Sequence, residues 1–217
     1  MFEKITRIVM PVGRINPNGV NILGTCFLLE EAGLFATASH VTQNNDNNLV
    51  IILPKEEMLS DYQDTTDTNI NMLEVKILKI DPIHDTAILK ADTNVSSNLK
   101  ISSLDNINVG EPISIFGYPH ANHGRMVLTK QSAEIGAKIL LDSNGIKTKH
   151  SVINVQSRPG QSGSPVIHSL SKEIVGILVG AYVPNNSGKV IIGGLDPQTL
   201  HPTTHIVSTE YLKEMLQ

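Results

Sequence analysis

The chain has 217 residues, and 17 basic residues against 21 acidic ones give it a formal net charge of −4. This length suits one large domain or two small ones. The composition shows no basic excess that would favour a nucleic-acid partner. A content of 40% hydrophobic and only 18% charged residues excludes a disordered chain. The single cysteine excludes an intramolecular disulfide framework, so the fold depends on packing alone.

No segment of the sequence has the character of a membrane span. Apolar runs such as 51–53 and 174–179 are far shorter than the roughly 20 residues that a spanning helix needs. Residues 1–5 contain no apolar stretch that ends in a small-residue cleavage site, so no signal peptide is visible. We therefore expect a soluble, cytoplasmic protein without a membrane partner.

Short apolar segments rich in Val, Ile and Leu recur along the chain, separated by Gly, Pro, Asn and Asp. Such spacing predicts the strands of a β-sandwich or of a pair of barrels. The polar stretch 92–108 divides the strands into two sets, which predicts an N-terminal unit 1–95 and a C-terminal unit 96–217. The predicted strands are 5–10, 20–29, 34–38, 49–53, 73–80, 86–90, 112–116, 126–139, 151–156, 164–168, 174–182 and 189–193.

The end of the chain predicts a short helix over 208–217. Hydroxyl residues precede an acid in the first turn, as at many helix starts. The apolar residues then lie at helical spacing on one face, which we expect to dock on the β body. They are Tyr211, Leu212, Met215 and Leu216.

Ser162 has the surroundings of a nucleophile. It lies between two predicted strands in the segment RPGQSGSPV, where Gly160 and Gly163 permit a tight turn that leaves its hydroxyl unobstructed. Such a turn can direct the N–H groups of Gly160 and Ser162 at one point and form an oxyanion hole, worth about 10²- to 10³-fold in rate per donor. A Gly-Ser turn without chemistry explains the same residues equally well.

Two further residues could act together with Ser162 in catalysis. His40 follows the strand 34–38, and Asp85 opens the strand 86–90. Taken singly, a structural histidine and a turn or capping aspartate are the ordinary interpretations. Together with Ser162 they supply a base, an orienting carboxylate and a nucleophile, in the chain order His, Asp, Ser.

The strings TASH, HDTAIL and GQSGSPV resemble the three active-site motifs of chymotrypsin-like serine proteases, most closely those of the disulfide-free HtrA/Deg type. The resemblance extends over nearly the whole chain. It implies an all-β fold of two six-stranded antiparallel β-barrels with a short C-terminal helix. His40 and Asp85 would come from the first barrel and Ser162 from the second. The implied activity is that of a serine endopeptidase, which forms an acyl-enzyme on protein or peptide substrates and needs no cofactor.

Rivals to this assignment are present nearby. Asp81 and Asp92 are alternative carboxylates, but the resemblance favours Asp85 because the residues TAIL follow it as in the family's strand. His84 is a poor rival for the base, since it directly precedes the expected orienting acid.

The resemblance also implies a primary specificity pocket. Val179, Gly180 and Ala181 would form its wall, and Gln156 would lie near its floor. Because no acid occurs at these positions, we expect cleavage after small or medium aliphatic residues rather than after Lys or Arg. Gln161 stands where the digestive branch has an aspartate that pairs with a newly cut N-terminus, so we expect no activation through that ion pair.

Several groups of Asp or His residues have side chains that could ligate a metal ion. Zinc sites usually need three or four protein ligands, and carboxylates on a surface loop are usually solvated, so we expect no metal. The groups are Asp61, Asp64 and Asp67 in the loop 54–71, the pair His120 and His123, and the pair His201 and His205.

Two other functions use the same residues. A protease fold with an inert triad would serve as a protein-binding module, and an intact triad also supports esterase or acyltransferase chemistry. Proteases of the HtrA type usually carry a PDZ domain and an N-terminal segment for trimer assembly, neither of which this sequence contains. We therefore expect a stand-alone protease that is a monomer or a weak homo-oligomer.

Overall fold

The structure of the protein is a computed structural model that describes residues 2–181 and 203–217, with Ala181 described by its backbone alone. Its first six strands form a closed antiparallel barrel in the order β1-β2-β3-β6-β5-β4. Every residue of the third strand is buried, because this strand lies between two neighbours and against the core. The strands are β1 Val9–Asn16, β2 Gly19–Leu28, β3 Leu34–Ala38, β4 Leu49–Leu53, β5 Asn71–Asp81 and β6 Thr86–Ala91.

The second half forms an antiparallel sheet in the order β8-β7-β11-β12-β13-β10-β9. This sheet has seven strands, whereas a second six-stranded barrel was predicted from the sequence. Its two edge strands, β8 and β9, follow each other in the chain and are separated only by Ile135 and Gly136, so the sheet must curl until its edges meet at that corner. The strands are β7 Pro112–Gly117, β8 Thr129–Glu134, β9 Ala137–Ser143, β10 Ile146–Ile153, β11 Pro165–His168, β12 Ile174–Ala181 and β13 Thr204–Ser208.

The corner explains the difference in strand count. Ile135 N–H donates to Glu111 O beside one edge of the sheet, and Gly136 N–H donates to Val152 O at the other edge. A Cβ at Gly136 would lie 2.9 Å from Val152 O, so only glycine permits this close crossing. Counted as one sharply bent strand, β8 and β9 give the six strands of the predicted barrel, and the prediction of a chymotrypsin-like all-β fold is confirmed.

Helices are few and short. The helix α1 covers Ser39–Thr42 and the C-terminal helix α2 covers Glu210–Leu216, within the predicted range 208–217. Short 3₁₀ segments occur at Glu3–Arg7, Leu104–Asn106 and Ala121–His123. No helix among the described residues is long and apolar enough to cross a membrane.

One hydrophobic cluster crosses the boundary between the two halves. Phe27 and Phe35 of the first barrel belong to the same buried cluster as Phe116 and Ile177 of the second sheet, and Tyr211 and Leu212 of α2 join it. A second cluster lies within the second sheet around Leu104, Ile115 and Leu178. Burial of a large apolar side chain stabilises a fold by about 1.5–3 kcal/mol, so this shared core holds the halves in a fixed arrangement.

The structure differs from the predicted elements in a few places. The predicted strand 5–10 is wrong at its start, because residues Glu3–Arg7 form a 3₁₀ turn before β1 begins. The strand β13 was not predicted, and the predicted strand 189–193 lies outside the described residues. The boundary predicted near residue 95 falls between β6 and β7, and the division into two units stays a prediction.

Candidate active site

His40 and Asp85 meet because the strands beside them pair. In the antiparallel ladder between β3 and β6, Ala38 lies opposite Thr86, so the residues one step beyond this pair are side by side. The Ser39 N–H group donates to Asp85 O at 3.1 Å, and the chain turns directly into α1, whose second residue is His40. Strand register thus brings an imidazole and a carboxylate together across 45 positions of sequence.

Three hydrogen bonds converge on the Asp85 carboxylate. Its Oδ2 lies 2.7 Å from His40 Nδ1, and its Oδ1 accepts from Ser39 Oγ at 2.7 Å and from the His40 N–H at 2.9 Å. Asp85 has a φ of 51°, in the left-handed region that aspartate tolerates better than most residues. This geometry lets one short side chain hold both the ring and the backbone of the histidine.

These contacts set the charge of the pair. Burial alone raises the pKa of Asp85, but the hydrogen bond and charge of His40 and the hydrogen bond from Ser39 outweigh burial, so the pKa lies below its ordinary value. The carboxylate favours the His40 tautomer with its proton on Nδ1, which leaves Nε2 as an acceptor. The His40 side chain is 47% exposed, so Nε2 is open to a bound substrate.

The loop that carries Ser162 docks on the first barrel beside α1. Ser162 O accepts from the Thr25 N–H at 2.8 Å, and Thr25 Oγ1 donates to Gly160 O at 2.8 Å. A Cβ at Gly24 would lie 2.7 Å from the Val41 side chain and 2.8 Å from Ser162 O. Gly24 is therefore a point at which the serine loop and the residue after His40 both touch β2.

The hydroxyl of Ser162 faces β12 in this structure. Its Oγ donates to Val179 O at 3.0 Å, and no hydrogen bond from it to His40 occurs within the described residues. A Cβ at Gly180 would lie 3.9 Å from the same Oγ. Val179 and Gly180, predicted as the wall of the specificity pocket, thus lie directly at the serine hydroxyl.

The turn before Ser162 has two free N–H groups. Gly160 adopts a φ of +94°, and the Pro159 carbonyl before it accepts from the His120 N–H at 2.7 Å, which directs the N–H of this peptide to the opposite side. Within the described part of the chain, the N–H groups of Gly160 and Ser162 donate to no acceptor. Both were predicted as oxyanion donors, and a ligand oxygen is free to take them.

Gln161 closes this turn from inside the protein. It is 2% exposed, its Oε1 accepts from the Arg158 N–H at 2.7 Å, and its own N–H donates to Arg158 O at 3.0 Å. The uncharged amide thus fixes the turn by two local hydrogen bonds. No ion pair with a chain terminus is needed to hold it.

Gln156 lies beside residues of the serine loop. It lines a cavity of about 420 Å³ with Arg158 and Gln161, and neither Val179 nor Gly180 is among the lining residues. The side chain of Ala181 is outside the described residues. Gln156, Val179, Gly180 and Ala181 stay the predicted substrate-binding residues.

The rival residues have other partners. The Asp81 carboxylate binds His84 at 2.6 Å between Oδ2 and Nδ1, and the His84 ring stacks on Tyr211 with centroids 3.6 Å apart. Asp92 is exposed. Of the three candidate carboxylates Asp81, Asp85 and Asp92, Asp85 is the one that contacts His40.

The candidate metal groups gain no further ligands. Among residues 2–181 and 203–217, no cluster of three His, Cys, Asp or Glu side chains has the arrangement of a metal site. His123 is exposed, with Nε2 3.5 Å from the Asn122 amide, and His205 is buried in β13. His201 lies outside the described residues.

Two contributors to this site were not predicted from the sequence. Ser39 binds the carboxylate of Asp85, and Gln161 holds the turn of the glycine-flanked loop. Ser39 has a sequence signal, a hydroxyl residue directly before His40. The role of Gln161 has none, because the direction of its side chain depends on the folded turn.

The fold and the arrangement of these residues agree with the family comparison. The family model described as Trypsin-like peptidase domain matches residues 24–177, which include His40, Asp85 and Ser162. The chain belongs to this family. A trypsin-like peptidase domain therefore contains the His40–Asp85 pair and the loop of Ser162, and the predicted kinship with serine proteases of the HtrA and DegP type is confirmed.

Named relatives of this trypsin-like peptidase domain are distant. A probable periplasmic serine endoprotease DegP-like of Pseudomonas fulva is 28% identical over 159 residues, which cover 71% of this chain and 28% of that protein. The serine endoprotease DegS of Haemophilus influenzae is 28% identical over 162 residues, covering 73% of this chain and 41% of that protein. The chain thus matches less than half of the length of these relatives. Its cytoplasmic location stays a prediction.

A solved structure shows the same fold. The active form of the Rv3671c protease from M. tuberculosis superimposes with a TM-score of 0.69 at 19% sequence identity, covering 97% of this chain and 80% of the other. At this identity the likeness extends to the fold of the trypsin-like peptidase domain and no further.

Proposed function

We propose that this protein is a serine endopeptidase that cleaves peptide bonds through Ser162, His40 and Asp85 after small or medium aliphatic residues. The observation that carries the proposal is the 2.7 Å contact between His40 Nδ1 and Asp85 Oδ2 beside the docked loop of Ser162. Membership of the trypsin-like peptidase family and the serine endoproteases among its relatives support the same activity.

The chemistry begins at the serine hydroxyl. The Ser162 hydroxyl first rotates from Val179 O toward His40 Nε2. The imidazole then takes the hydroxyl proton as Ser162 Oγ bonds to the substrate carbonyl carbon. His40 then carries a positive charge, which the Asp85 carboxylate stabilises. A base of this kind contributes about 10²- to 10⁴-fold in rate.

The carbonyl oxygen becomes an oxyanion at this stage. The free N–H groups of Gly160 and Ser162 are the donors that we assign to it, with about 10²- to 10³-fold in rate per donor. When the carbon–nitrogen bond breaks, His40 returns its proton to the leaving amine. Water then attacks the acyl-enzyme by the same route and releases the acid product, with His40 again as the base.

The preference for aliphatic residues rests on the side of Ser162 that faces β12. Val179 supplies an apolar side chain on this strand, and Gly180 places no side chain at a position where a Cβ would lie 3.9 Å from Ser162 Oγ. A carboxylate that would pair with a substrate Lys or Arg is absent from Gln156, Val179 and Gly180, the described positions of the predicted pocket.

Hydrolysis by matched variants tests the proposal. Wild type, Ser162→Ala and the control Ser157→Ala, a serine in the same loop whose side chain has no hydrogen bond among the described residues, are incubated with denatured casein and a peptide library. We expect wild type and Ser157→Ala to cleave after Ala, Val or Leu, and Ser162→Ala to be inactive. Cleavage after Arg or Lys contradicts the specificity. The activity is contradicted if wild type cleaves nothing, or if Ser162→Ala cleaves as well as wild type. If wild type binds casein without cutting it, the protein is a binding module.

A further inference from the structure

Thr25 is buried where the first barrel meets the serine turn, residues 159–162. It lies in β2, and its side chain is fully buried. The Thr25 hydroxyl donates to Gly160 O at 2.8 Å, and the Thr25 N–H group donates to Ser162 O at 2.8 Å. The Tyr118 N–H group donates to the same hydroxyl oxygen at 3.3 Å, which leaves the hydroxyl proton for Gly160 O. One residue of the first barrel therefore holds two carbonyl groups of the turn.

The strand that leads to His40 takes part in the same contact. Thr37 of β3 is also fully buried, and its hydroxyl donates to Thr25 O at 2.7 Å. A Cβ at Gly163 would collide with Thr25 O and with the Thr37 hydroxyl, so only glycine permits this close approach. The residues around Ser162 thus pack on β2 and β3 together.

Every carbonyl group of the serine turn accepts a hydrogen bond. Thr25 supplies the donors for two of the four, and the second half of the protein supplies the others. Pro159 O accepts from the His120 N–H at 2.7 Å, and Gln161 O accepts from the Ser164 N–H at 3.0 Å. Within the described chain, Thr25 is therefore the anchor that the first barrel provides for these carbonyl groups.

The N–H groups of the serine turn differ in this respect. The Gln161 N–H donates to Arg158 O at 3.0 Å, whereas the N–H groups of Gly160 and Ser162 have no acceptor among the residues described. These two residues are the same two whose carbonyl groups Thr25 holds. Since peptide groups are planar, hydrogen bonds to the carbonyl groups of the turn also set the directions of its N–H groups.

Gly160 depends on the Thr25 hydroxyl more than Ser162 does. Gly160 has no side chain to limit rotation of the peptide groups on its two sides, and it adopts a φ of +94°. It is also buried, so its carbonyl group would have no donor if the Thr25 hydroxyl were removed. A buried carbonyl group without a donor is unfavourable, so we expect the turn to shift when this hydroxyl is lost.

We propose that the Thr25 hydroxyl is a positioning group for the oxyanion hole, which holds the Gly160 peptide so that the N–H groups of Gly160 and Ser162 converge on one point. The proposal rests on the proposed peptidase function for the oxyanion itself. Thr25 acts through the turn rather than on the substrate. Because the two N–H groups bind most strongly when the carbonyl oxygen becomes negative, loss of the hydroxyl lowers kcat more than it raises KM.

Three variants separate positioning from stability. Thr25→Val removes the hydroxyl with little change in volume, and Thr25→Ser keeps it. The control Thr209→Val removes another fully buried hydroxyl, which donates to Ile174 O at 2.9 Å directly before α2. We expect kcat for peptide cleavage to fall about 10- to 100-fold in Thr25→Val, less than for outright loss of an oxyanion donor, with KM within about threefold of wild type. Thr25→Ser and Thr209→Val should keep kcat within about threefold.

Amide NMR of the unreacted protein tests the position of the turn without turnover. We expect the ¹⁵N–¹H signals of Gly160 and Ser162 to shift in Thr25→Val and to stay near their wild-type positions in Thr25→Ser and Thr209→Val. If Thr25→Val does not fold, Thr25→Ala removes the same hydroxyl and takes its place. If neither variant folds, the hydroxyl serves the fold as a whole, and the proposal is overturned.

Failure of this proposal can be told apart from failure of the proposed function. If wild-type protein cleaves no peptide, the peptidase proposal fails, and shifted amide signals in Thr25→Val still support Thr25 as the anchor of the turn. If wild type cleaves peptides, three results overturn the positioning role alone: an unchanged kcat in Thr25→Val, a loss through KM only, or an equal loss of kcat in Thr209→Val. Unshifted amide signals of Gly160 and Ser162 in Thr25→Val overturn it in either case.

Discussion

Ser39→Ala removes one of three donors to the Asp85 carboxylate and tests how the candidate site is held. Ser39 is 8% exposed, and its Oγ lies 2.7 Å from Asp85 Oδ1. A hydrogen bond to a charged group contributes about 1.5–3 kcal/mol, so we expect the variant to lose about that much free energy of unfolding at neutral pH. We also expect kcat/KM to fall about tenfold, mainly through kcat, because the loosened carboxylate stabilises the His40 cation less well.

The pH dependence of this loss has a definite sign. The folded-state pKa of Asp85 is below its ordinary value, so its contribution to stability is present above the unfolded-state pKa and disappears as pH falls through the folded-state pKa. The difference between wild type and Ser39→Ala in urea unfolding should therefore shrink on acidification. Ser39→Thr retains the hydroxyl and should restore kcat. Equal kcat and equal unfolding curves for Ser39→Ala and wild type at neutral pH would show that the Ser39 hydroxyl does not stabilise the Asp85 carboxylate.

Three further changes probe the rest of the protein. Asp85→Asn should lower kcat about 10⁴-fold, the loss that this exchange causes in trypsin-like proteases, and a smaller change than tenfold argues against Asp85 as the orienting group. Gln161→Leu removes the acceptor of the Arg158 N–H and should lower kcat more than it raises KM, whereas Gln161→Glu keeps an acceptor oxygen and should retain more activity. Burial, followed by the charge of His205, lowers the pKa of His150 to about 4, so stability should fall by about 3 kcal/mol as pH falls from about 6.5 to 4. His150→Phe should flatten that decline, and an unchanged pH dependence of urea unfolding contradicts the assignment.

Much of the fold follows from local pattern. β3 and β4 have the predicted bounds, because each is a compact apolar run between turn residues. The contact between His40 and Asp85 was predicted by resemblance of their motifs, and its physical cause is the β3–β6 register, which no local pattern reveals. Each of the three motifs alone had an ordinary structural interpretation, and only their combination indicated a serine protease.

The remaining features depend on tertiary structure. β13 is a short strand that joins β12 to β10, and no strand was predicted for its residues. The bend at Gly136 turns one predicted stretch into two strands, because it comes from closure of the sheet. A hydroxyl residue was expected to cap α2, but the hydroxyl of Thr209, the residue before the helix, donates to the backbone carbonyls of Ile174 and Ser102 instead. Which acceptor a hydroxyl group binds thus depends on the tertiary packing around it.

Labelling with a fluorophosphonate shows whether Ser162 is an activated nucleophile, because this reagent reacts with an activated serine hydroxyl and needs no knowledge of the substrate. Folded wild-type protein, Ser162→Ala and His40→Ala are treated with the reagent, and intact mass is measured. We expect a single adduct on the wild-type protein, located on Ser162, and none on either variant. Folded wild-type protein that gains no adduct, or an adduct that persists in Ser162→Ala, would contradict this expectation.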